Sequence, residues 1–291
     1  MRVGFIGAGT MGTAVGILLK DKGYMISGYC SRTFSSAEKA AEAVGGTAFF
    51  QAADLVRHSD IIFISTPDDA VGETARSISS TGALRHGHIL AHFSGSLNAE
   101  ILRPQQPGVF VVSIHPLQSC ASVEQAVANL PGSIFSLEGN DRAVKTAEQI
   151  VEALGGEHFV LQGEDKALYH AAACTASNYL VTLFHLAVEM LGCSGVPEKM
   201  RARCLLPLVK GTVSNLAEMP PSKALTGPIA RGDVGTVRDH LRVMEKEMPH
   251  LVDFYKCMGA LTLELSREKG KIGKDAADEL AKIFVDETGE L

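Results

Sequence analysis

The chain has 291 residues, of which 46% are hydrophobic and 21% are charged, and its formal net charge is −6. A chain of this length usually folds as two domains, and its composition excludes a disordered protein and a small disulfide-stabilised one. Because 27 basic residues face 33 acidic ones and no basic block occurs, we expect a small-molecule ligand and no nucleic acid.

The first half of the chain alternates short apolar runs with helical patterns, which predicts an α/β fold with a doubly wound parallel sheet. Strands are predicted at 2–6, 25–30, 60–65, 88–93, 109–114, 133–137 and 158–161, and helices at 10–22, 35–44, 69–79 and 141–154. After Gly163 the spacing is helical, with helices predicted at 165–191, 197–217, 234–247, 249–266 and 276–284. We therefore expect an α/β domain at 1–162 and an all-α domain at 163–291.

The cysteines and the apolar segments bear on location. The six cysteines show no C-x-x-C spacing, so we predict no metal site and reduced thiols. No targeting signal is visible at the start, which favours a cytoplasmic protein. The segment 167–188 has no charged residue and is long enough to span a membrane. The polar groups of His170, Ser177, Asn178, Thr182 and His185 instead favour a buried helix of a protein with no membrane contact.

A glycine-rich turn follows the first predicted strand and opens the first helix, in the pattern G-x-G-x-x-G. In this context the pattern predicts a dinucleotide site, since Gly7 allows the turn, Gly9 leaves space for a pyrophosphate and Gly12 lets helix and strand approach closely. The helix N-terminus would face the anion. The whole motif is predicted to contact the cofactor: Gly7, Ala8, Gly9, Thr10, Met11 and Gly12.

The end of the second predicted strand indicates which dinucleotide binds. An acidic residue there would hold the ribose 2′-hydroxyl of NAD, but the sequence has Ser31, Arg32 and Thr33. A guanidinium between two hydroxyls suits a 2′-phosphate, so we predict NADP(H). Thr66 and Pro67, which follow the next strand, complete the predicted cofactor site, because ligands bind at the carboxyl ends of parallel strands.

Polar residues recur on one face of the first helix after the α/β domain. At about 100° per residue, Lys166, His170, Ala173 and Ser177 fall in one narrow stripe, with Asn178 on its flank. A core helix would carry large apolar residues there, so the stripe predicts a functional face. Solvent-facing residues near a helix start are the alternative interpretation.

Three other places carry candidate substrate-binding residues. Ser94 and Ser96 follow the strand 88–93, and His115 follows the strand 109–114 at the predicted cleft edge. Arg231, in a loop rich in Gly and Pro, suits bidentate binding of a carboxylate, although it could equally cap a helix or pair with Asp233.

These motifs together resemble a known superfamily: the β-hydroxyacid dehydrogenases, pyrroline-carboxylate reductases and ketopantoate reductases. More closely, three segments resemble a family of Rossmann-like NADP oxidoreductases with an appended helical C-terminal domain: His115-Pro116-Leu117-Gln118, Lys166-Ala167-Leu168-Tyr169-His170 through Ser177-Asn178-Tyr179-Leu180, and Leu225-Thr226-Gly227-Pro228-Ile229-Ala230-Arg231-Gly232-Asp233. Members of that family are thought to include an alternative type of ketopantoate reductase. The resemblance therefore implies reduction of 2-dehydropantoate in pantothenate biosynthesis.

The resemblance also implies roles for the candidate residues. Lys166 matches the catalytic lysine and is the expected proton donor, with His170 as the alternate acid. In the better-known families an Asn stands four residues after that lysine, where this chain has His170; the role of that Asn passes to His170 or Asn178. The remaining candidates, Ser94, Ser96, His115, Ser177, Asn178 and Arg231, are expected to bind substrate.

Other functions stay open at this stage. The substrate could instead be a prephenate-like or pyrroline-carboxylate-like compound or a deazaflavin electron partner, and a non-catalytic NADP-binding sensor or a structural dimer module would use the same fold. Because the long apolar helices are hard to bury within one small helical domain, we expect a homodimer formed through the C-terminal helices.

Overall fold

The computed structural model describes residues 1–162 and 165–284. By compactness the chain divides into two units, 1–180 and 181–291. The sequence predicted a domain boundary between residues 162 and 163. The last strand ends just before this point, and residues 163–164 lie outside the described part. Compactness puts the division later, because the first helix after the strands belongs to the same unit as the sheet.

The first unit contains a single eight-stranded sheet with helices between its strands. The strands are β1 (Arg2–Ile6), β2 (Met25–Cys30), β3 (Thr47–Phe49), β4 (Ile61–Ile64), β5 (Ile89–His92), β6 (Phe110–Pro116), β7 (Ile134–Gly139) and β8 (Glu157–Val160). The helices are α1 (Thr10–Asp21), α2 (Phe34–Val44), α3 (Ala52–Arg57), α4 (Asp68–Ser80), α5 (Val123–Asn129), α6 (Asp141–Ala153) and α7 (Lys166–Ala176).

The strand order is β3-β2-β1-β4-β5-β6-β7-β8, which confirms the doubly wound α/β prediction. Two apolar cores lie on opposite faces of the sheet, one shared with α1, α2, α5 and α6 and the other with α3 and α4. The chain reverses its winding between β1 and β4, so the crevice that binds ligands in such sheets opens at their carboxyl ends.

The sheet differs from the prediction at a few places. All neighbouring strands run parallel except β6 and β7, which are antiparallel. As a result β7 begins where β6 ends, with Pro116 opposite Phe135. The short edge strand β3 and the short helices α3 and α5 were not predicted, because three to seven residues carry too little periodicity to identify an element.

The described residues of the second unit form helices joined by loops, without a strand. Its helices are α8 (Asn178–Cys193, which begins in the first unit), α9 (Glu198–Glu218), α10 (Pro221–Ala224), α11 (Pro228–Arg231), α12 (Val234–Glu247), α13 (Val252–Lys269) and α14 (Lys274–Phe284). α12, α13 and α14 enclose an apolar core around Val237, Leu263 and Leu280. The single helix predicted at 165–191 is two helices in the structure, because Ser177 departs from helical geometry with φ −112° and ψ −64°.

One helical segment, Lys166–Cys193, is long and apolar enough to cross a membrane when length and composition alone are considered. This is weak evidence, because mostly buried core helices of soluble proteins and signal sequences pass the same test. The prediction of a buried helix over 167–188 is wrong for this structure, since the most apolar 18-residue window of the segment is 0% buried and α8 has no buried residue. Two side chains of α7, Lys166 and Tyr169, bond to side chains of β6. α7 is thus seated on the sheet, as a helix of a globular unit is.

Candidate active site

The glycine turn between β1 and α1 is locked to the turn that follows β4. Gly7 has a φ of 109°, and a Cβ placed on it would lie 2.6 Å from the backbone of Ser65. The Ser65 hydroxyl donates to the Gly7 carbonyl at 2.9 Å. By contrast, a Cβ on Gly9 would meet only the Ser65 carbonyl oxygen, at 4.0 Å. The open side of Gly9 and the free N–H groups of the α1 N-terminus fit a pyrophosphate.

The end of β2 suits a 2′-phosphate. Arg32 is exposed there and enters no salt bridge within the described residues. Ser31 precedes it, and Thr33 occupies the N-cap position of α2. A 2′-phosphate at this position would meet a guanidinium fork and two hydroxyls without a competing carboxylate. These residues therefore fit NADP(H).

A cavity of about 230 Å³ opens beside the glycine turn at the carboxyl ends of β4, β5 and β6. Thr66 lines it, and the Thr66 Oγ1 atom is buried with no hydrogen-bond partner in the described part of the chain. A buried polar atom without a partner is costly, and a bound cofactor or substrate would satisfy it. The cavity is lined by Met11, Ile64, Ser65, Thr66, Asp68, Val71, Phe93, Ser94, His115, Pro116 and Gln118.

A carboxylate and two serines form one wall of this cavity. Asp68 Oδ2 accepts hydrogen bonds from Ser94 Oγ at 2.6 Å and from Ser96 Oγ at 3.0 Å. His92 supports the same loop, because its Nδ1 accepts from the Ser94 backbone N–H at 3.1 Å. Burial and the Lys166 charge lower the pKa of His92 to about 4, so the imidazole is neutral and can accept. Ser94 and Ser96 are thus held by Asp68 rather than left free.

Lys166 is the most buried charged side chain of the site, with 1% of its surface exposed. Its Nζ donates to Ser113 Oγ and lies 3.6 Å from Glu138 Oε2. Burial lowers the pKa of Lys166 to about 8, although the Glu138 and Asp68 carboxylates oppose that shift. Lys166 does not line the cavity, but Ser94 does. Ser113, which accepts from Lys166, donates to the carbonyl oxygen of Ser94. The ammonium therefore lies one residue behind the cavity wall.

His115 lies beside this group, on the same face of β6 as Ser113. Its Nδ1 and the Tyr169 hydroxyl are 2.7 Å apart, and its ring lies 6.2 Å from the ring of His170. Gly95 separates the two imidazoles, since a Cβ there would approach His115 Nε2 to 2.6 Å and His170 Cδ2 to 2.8 Å. Burial, Lys166 and His170 lower the pKa of His115 to about 4, so its ring is neutral at physiological pH.

β6, β7 and α7 together build this polar group. The antiparallel register sets Ser113 opposite Glu138 and His115 opposite Ser136. Lys166 of α7 meets the first cross-strand pair. Three residues later, Tyr169 contacts the second cross-strand pair, His115 and Ser136. Residues three apart share one face of a helix, which is why α7 covers both pairs.

The structure brings together only part of the predicted substrate set. Ser94, Ser96, His115, Lys166 and His170 gather at the carboxyl ends of β5 and β6. Ser177 is exposed at the break between α7 and α8, and Asn178 is exposed at the start of α8. Arg231 is exposed at the end of α11 in the second unit. There Asp233 caps α12 through Thr236.

Sequence reasoning missed four residues of the site: Asp68, Ser113, Glu138 and Tyr169. A signal for two of them existed, because Ser113 and His115 alternate along β6, and period-two spacing places both on one face of the sheet. Glu138 could not be found in this way, because its place depends on the antiparallel pairing of β7.

Comparisons with known proteins agree with this architecture. A family model described as a Rossmann-like domain matches residues 1–116, and one described as a domain of unknown function (DUF2520) matches residues 133–262. Protein TM1727 from Thermotoga maritima is similar over 92% of this chain and 99% of that chain, at 29% identity and a TM-score of 0.75. No curated protein matches the sequence at a significant level.

Two more distant structures carry names that describe an activity. Plasmodium falciparum pyrroline carboxylate reductase, solved with NADP bound, is 17% identical with a TM-score of 0.57, covering 93% of this chain and 97% of that chain. The 1-pyrroline-5-carboxylate reductase of Streptococcus pyogenes is 16% identical with a TM-score of 0.62, covering 96% and 98%. The chain thus has the fold of NAD(P)-dependent oxidoreductases. Within this chain, the DUF2520 match covers β7, α6, β8 and the helices that follow, up to residue 262.

Proposed function

We propose that this protein is an NADPH-dependent reductase that transfers a hydride to the carbonyl carbon of a small 2-oxo acid. The lead substrate is 2-dehydropantoate, which makes the protein a candidate ketopantoate reductase of pantothenate biosynthesis. The resemblance of the His115, Lys166 and Arg231 segments to that family supports this choice. The observation that carries the proposal is Lys166, a buried ammonium beside a cavity at the switch point of the sheet.

The chemistry divides between the cofactor and the side chains. Bound NADPH supplies the hydride, with two electrons, from C4 of its nicotinamide. Lys166 supplies the proton that the carbonyl oxygen needs to become a hydroxyl, and so ends the reaction neutral. A pKa lowered to about 8 suits that task, because a general acid works best when its pKa lies near the working pH. Because Ser113 accepts from Nζ and gives its one hydrogen to the Ser94 carbonyl, a water molecule would have to carry the proton from Nζ to the substrate oxygen.

Binding the substrate carboxylate requires a cation that is not already paired. Lys166 faces Glu138 at 3.6 Å and Asp68 adds a second negative charge, so these groups offer a carboxylate no net positive charge. The sequence resemblance makes Arg231 the candidate for this role, because a guanidinium can bind a carboxylate through two hydrogen bonds. Within the second unit, hydrogen bonds lower the pKa of Asp233, and the charge of Arg231 also helps to lower it. His170 is the candidate to replace the Asn that other members of the superfamily carry.

Reduction of a C=N bond is the second candidate activity, and Asp68 is the observation that favours it. A protonated imine carries a positive charge. The Asp68 carboxylate at the cavity wall accepts hydrogen bonds from two serine hydroxyls and forms no salt bridge among the described residues. A pyrroline-carboxylate-like substrate would find its counter-charge there.

We further propose that the protein acts in the cytoplasm as a homodimer. Large apolar side chains are exposed along α8 and α9, among them Val181 at 71% and Leu208 at 67%. Such a surface exceeds what a monomer normally leaves in water. A second copy of the chain would cover it.

The test is a substrate panel with purified protein. Loss of NADPH absorbance is followed with 2-dehydropantoate, pyrroline-5-carboxylate and simple 2-oxo acids, and NADP⁺ reduction is followed with 3-hydroxyisobutyrate and prephenate. We expect turnover of 2-dehydropantoate at about 1–10³ s⁻¹. Preference for pyrroline-5-carboxylate would replace the first candidate with the second, and tight NADPH binding without turnover of any compound would favour a sensor.

A further inference from the structure

The side chains of Ser136, Tyr169 and His115 form a hydrogen-bonded series that leads to the cavity. Ser136, which is buried on β7, bonds to the Tyr169 hydroxyl. The same hydroxyl lies 2.7 Å from His115 Nδ1. His115 is the member of the series that lines the cavity. None of the proposed steps above uses Tyr169 or Ser136.

The direction of these bonds follows from the chemistry of the three groups. A tyrosine hydroxyl carries one hydrogen, so Tyr169 can donate only once. A phenol is a stronger hydrogen-bond donor than a serine hydroxyl, and an unprotonated imidazole nitrogen is a stronger acceptor than a serine hydroxyl. Tyr169 therefore donates to His115 Nδ1 and accepts from Ser136. Burial raises the pKa of Tyr169, which keeps the phenol protonated and able to donate.

A neutral imidazole has one N–H and one acceptor nitrogen. Because Nδ1 accepts from Tyr169, the hydrogen of His115 must sit on Nε2. Within residues 1–162 and 165–284, no hydrogen bond satisfies Nε2. Since His115 lines the cavity, this N–H can reach a ligand bound there.

We propose that Tyr169 is a positioning residue that fixes His115 as the Nε2–H tautomer, and that this N–H donates a hydrogen bond to the substrate atom that gains the proton. This inference rests on the proposed reductase function. As the hydride adds to the carbonyl carbon, the electron pair of the C=O bond moves to oxygen, and the Nε2–H stabilises the charge that develops there. His115 keeps its proton, and the proton that completes the hydroxyl comes from Lys166.

The experiment is nitrogen NMR of the full-length protein with ¹⁵N-labelled histidine, in which two-bond correlations report which ring nitrogen carries hydrogen. The His115 signals are assigned by their loss in His115→Gln. We expect the Nε2–H tautomer in the wild type and a mixture of both tautomers in Tyr169→Phe, which keeps the ring and removes only the donor. An Nδ1–H wild type, or an unchanged Nε2–H tautomer in Tyr169→Phe, would overturn the assignment.

Kinetics with the substrate found by the panel tests the role of the N–H. We expect His115→Leu to lower kcat by roughly 10²–10³, the usual cost of losing one such donor. His115→Gln, whose amide can place an N–H near the same position, should recover part of that loss, while NADPH affinity stays unchanged in both. Equal losses in the two variants would contradict the role as donor. Absence of turnover in the wild type would instead contradict the reductase proposal. The NMR result does not depend on turnover, so it tests the tautomer assignment separately.

Discussion

Arg32 is the side chain on which the proposed preference for NADP(H) depends. It is exposed at the end of β2, where an acidic residue would select NAD, and no carboxylate pairs with it among the described residues. We expect Arg32→Ala to weaken NADPH binding by about 10–100-fold, because a hydrogen bond to a charged group contributes about 1.5–3 kcal/mol. NADH binding should change little.

Fluorescence titration of both cofactors measures this difference. Arg103→Ala, which removes an exposed arginine from a loop after β5, is the matched control and should leave both affinities unchanged. Equal loss of NADPH and NADH affinity in Arg32→Ala would contradict the assignment of a 2′-phosphate site.

Lys166 also predicts a dependence of stability on pH. Its pKa is about 8 in the folded chain and near its ordinary value of 10.5 in the unfolded chain. Between these values the unfolded chain holds the proton and the folded chain does not, so the free energy of unfolding rises with pH through this group. Below about pH 8 both states are charged, and the group contributes no pH dependence.

Denaturant unfolding of the wild type and of Lys166→Met between pH 7 and pH 10.5 isolates this contribution, because other groups cancel in the difference. We expect the wild type to gain stability relative to Lys166→Met as the pH rises through about 8. A difference that stays constant over the range would show that Lys166 titrates normally.

At the scale of elements, the site depends on how α7 meets β6 and β7. Glu138 on β7 reaches Lys166, and its Oε2 also accepts the Ala99 N–H at 2.6 Å. Glu138→Gln keeps an acceptor for that N–H and removes the charge. Since the Glu138 carboxylate raises the pKa of Lys166, we expect this variant to lower it.

The pH profile of kcat/KM for the reduction tests this expectation. The rate should fall as pH rises through about 8 in the wild type, as Lys166 loses its proton, and the fall should begin at lower pH in Glu138→Gln. Glu148→Gln, on the outer helix α6, serves as the control. A profile that Glu138→Gln does not move would show that this contact does not influence the proton donor.

These elements also show what the sequence can predict. The strand, turn and helix around Gly7 and Gly12 were predictable, because these residues lie within a local segment whose spacing has a known physical meaning. The cofactor contacts of Gly7, Gly12 and Arg32 stay predictions. The polar cluster was predictable only in part. Lys166 and His170 stand out on one helix face, but Glu138 reaches Lys166, and Ser136 reaches Tyr169, through an antiparallel pairing of β6 with β7. That pairing joins residues far apart in sequence, and no local pattern encodes it.

At the scale of the whole molecule, the second unit leaves much apolar surface on α8 and α9. Burying apolar area is favourable in rough proportion to that area, so we expect two chains to associate through these helices. The chain mass is 30.9 kDa, and sedimentation equilibrium should give twice that value. Leu208→Glu, which adds a charge to α9, should yield the monomer.

Lys145→Glu places the same side chain at an exposed position of α6 on the sheet unit. It changes the net charge by two units, against one for Leu208→Glu, and should still leave the dimer intact. A wild type that sediments at the mass of one chain would contradict the dimer. Loss of association in both variants would show that net charge, and not the α9 surface, controls assembly.

The central claim is that Lys166 supplies the proton for an NADPH-dependent reduction. The most direct test compares kcat for Lys166→Met with that for Lys145→Met, an exposed lysine on α6, using the substrate that the wild type reduces fastest. We predict a loss of about 10²–10⁴ in kcat for Lys166→Met, the usual contribution of a general acid, and a change within about threefold for the control. Lys166→Met activity within about threefold of the wild type would contradict the account.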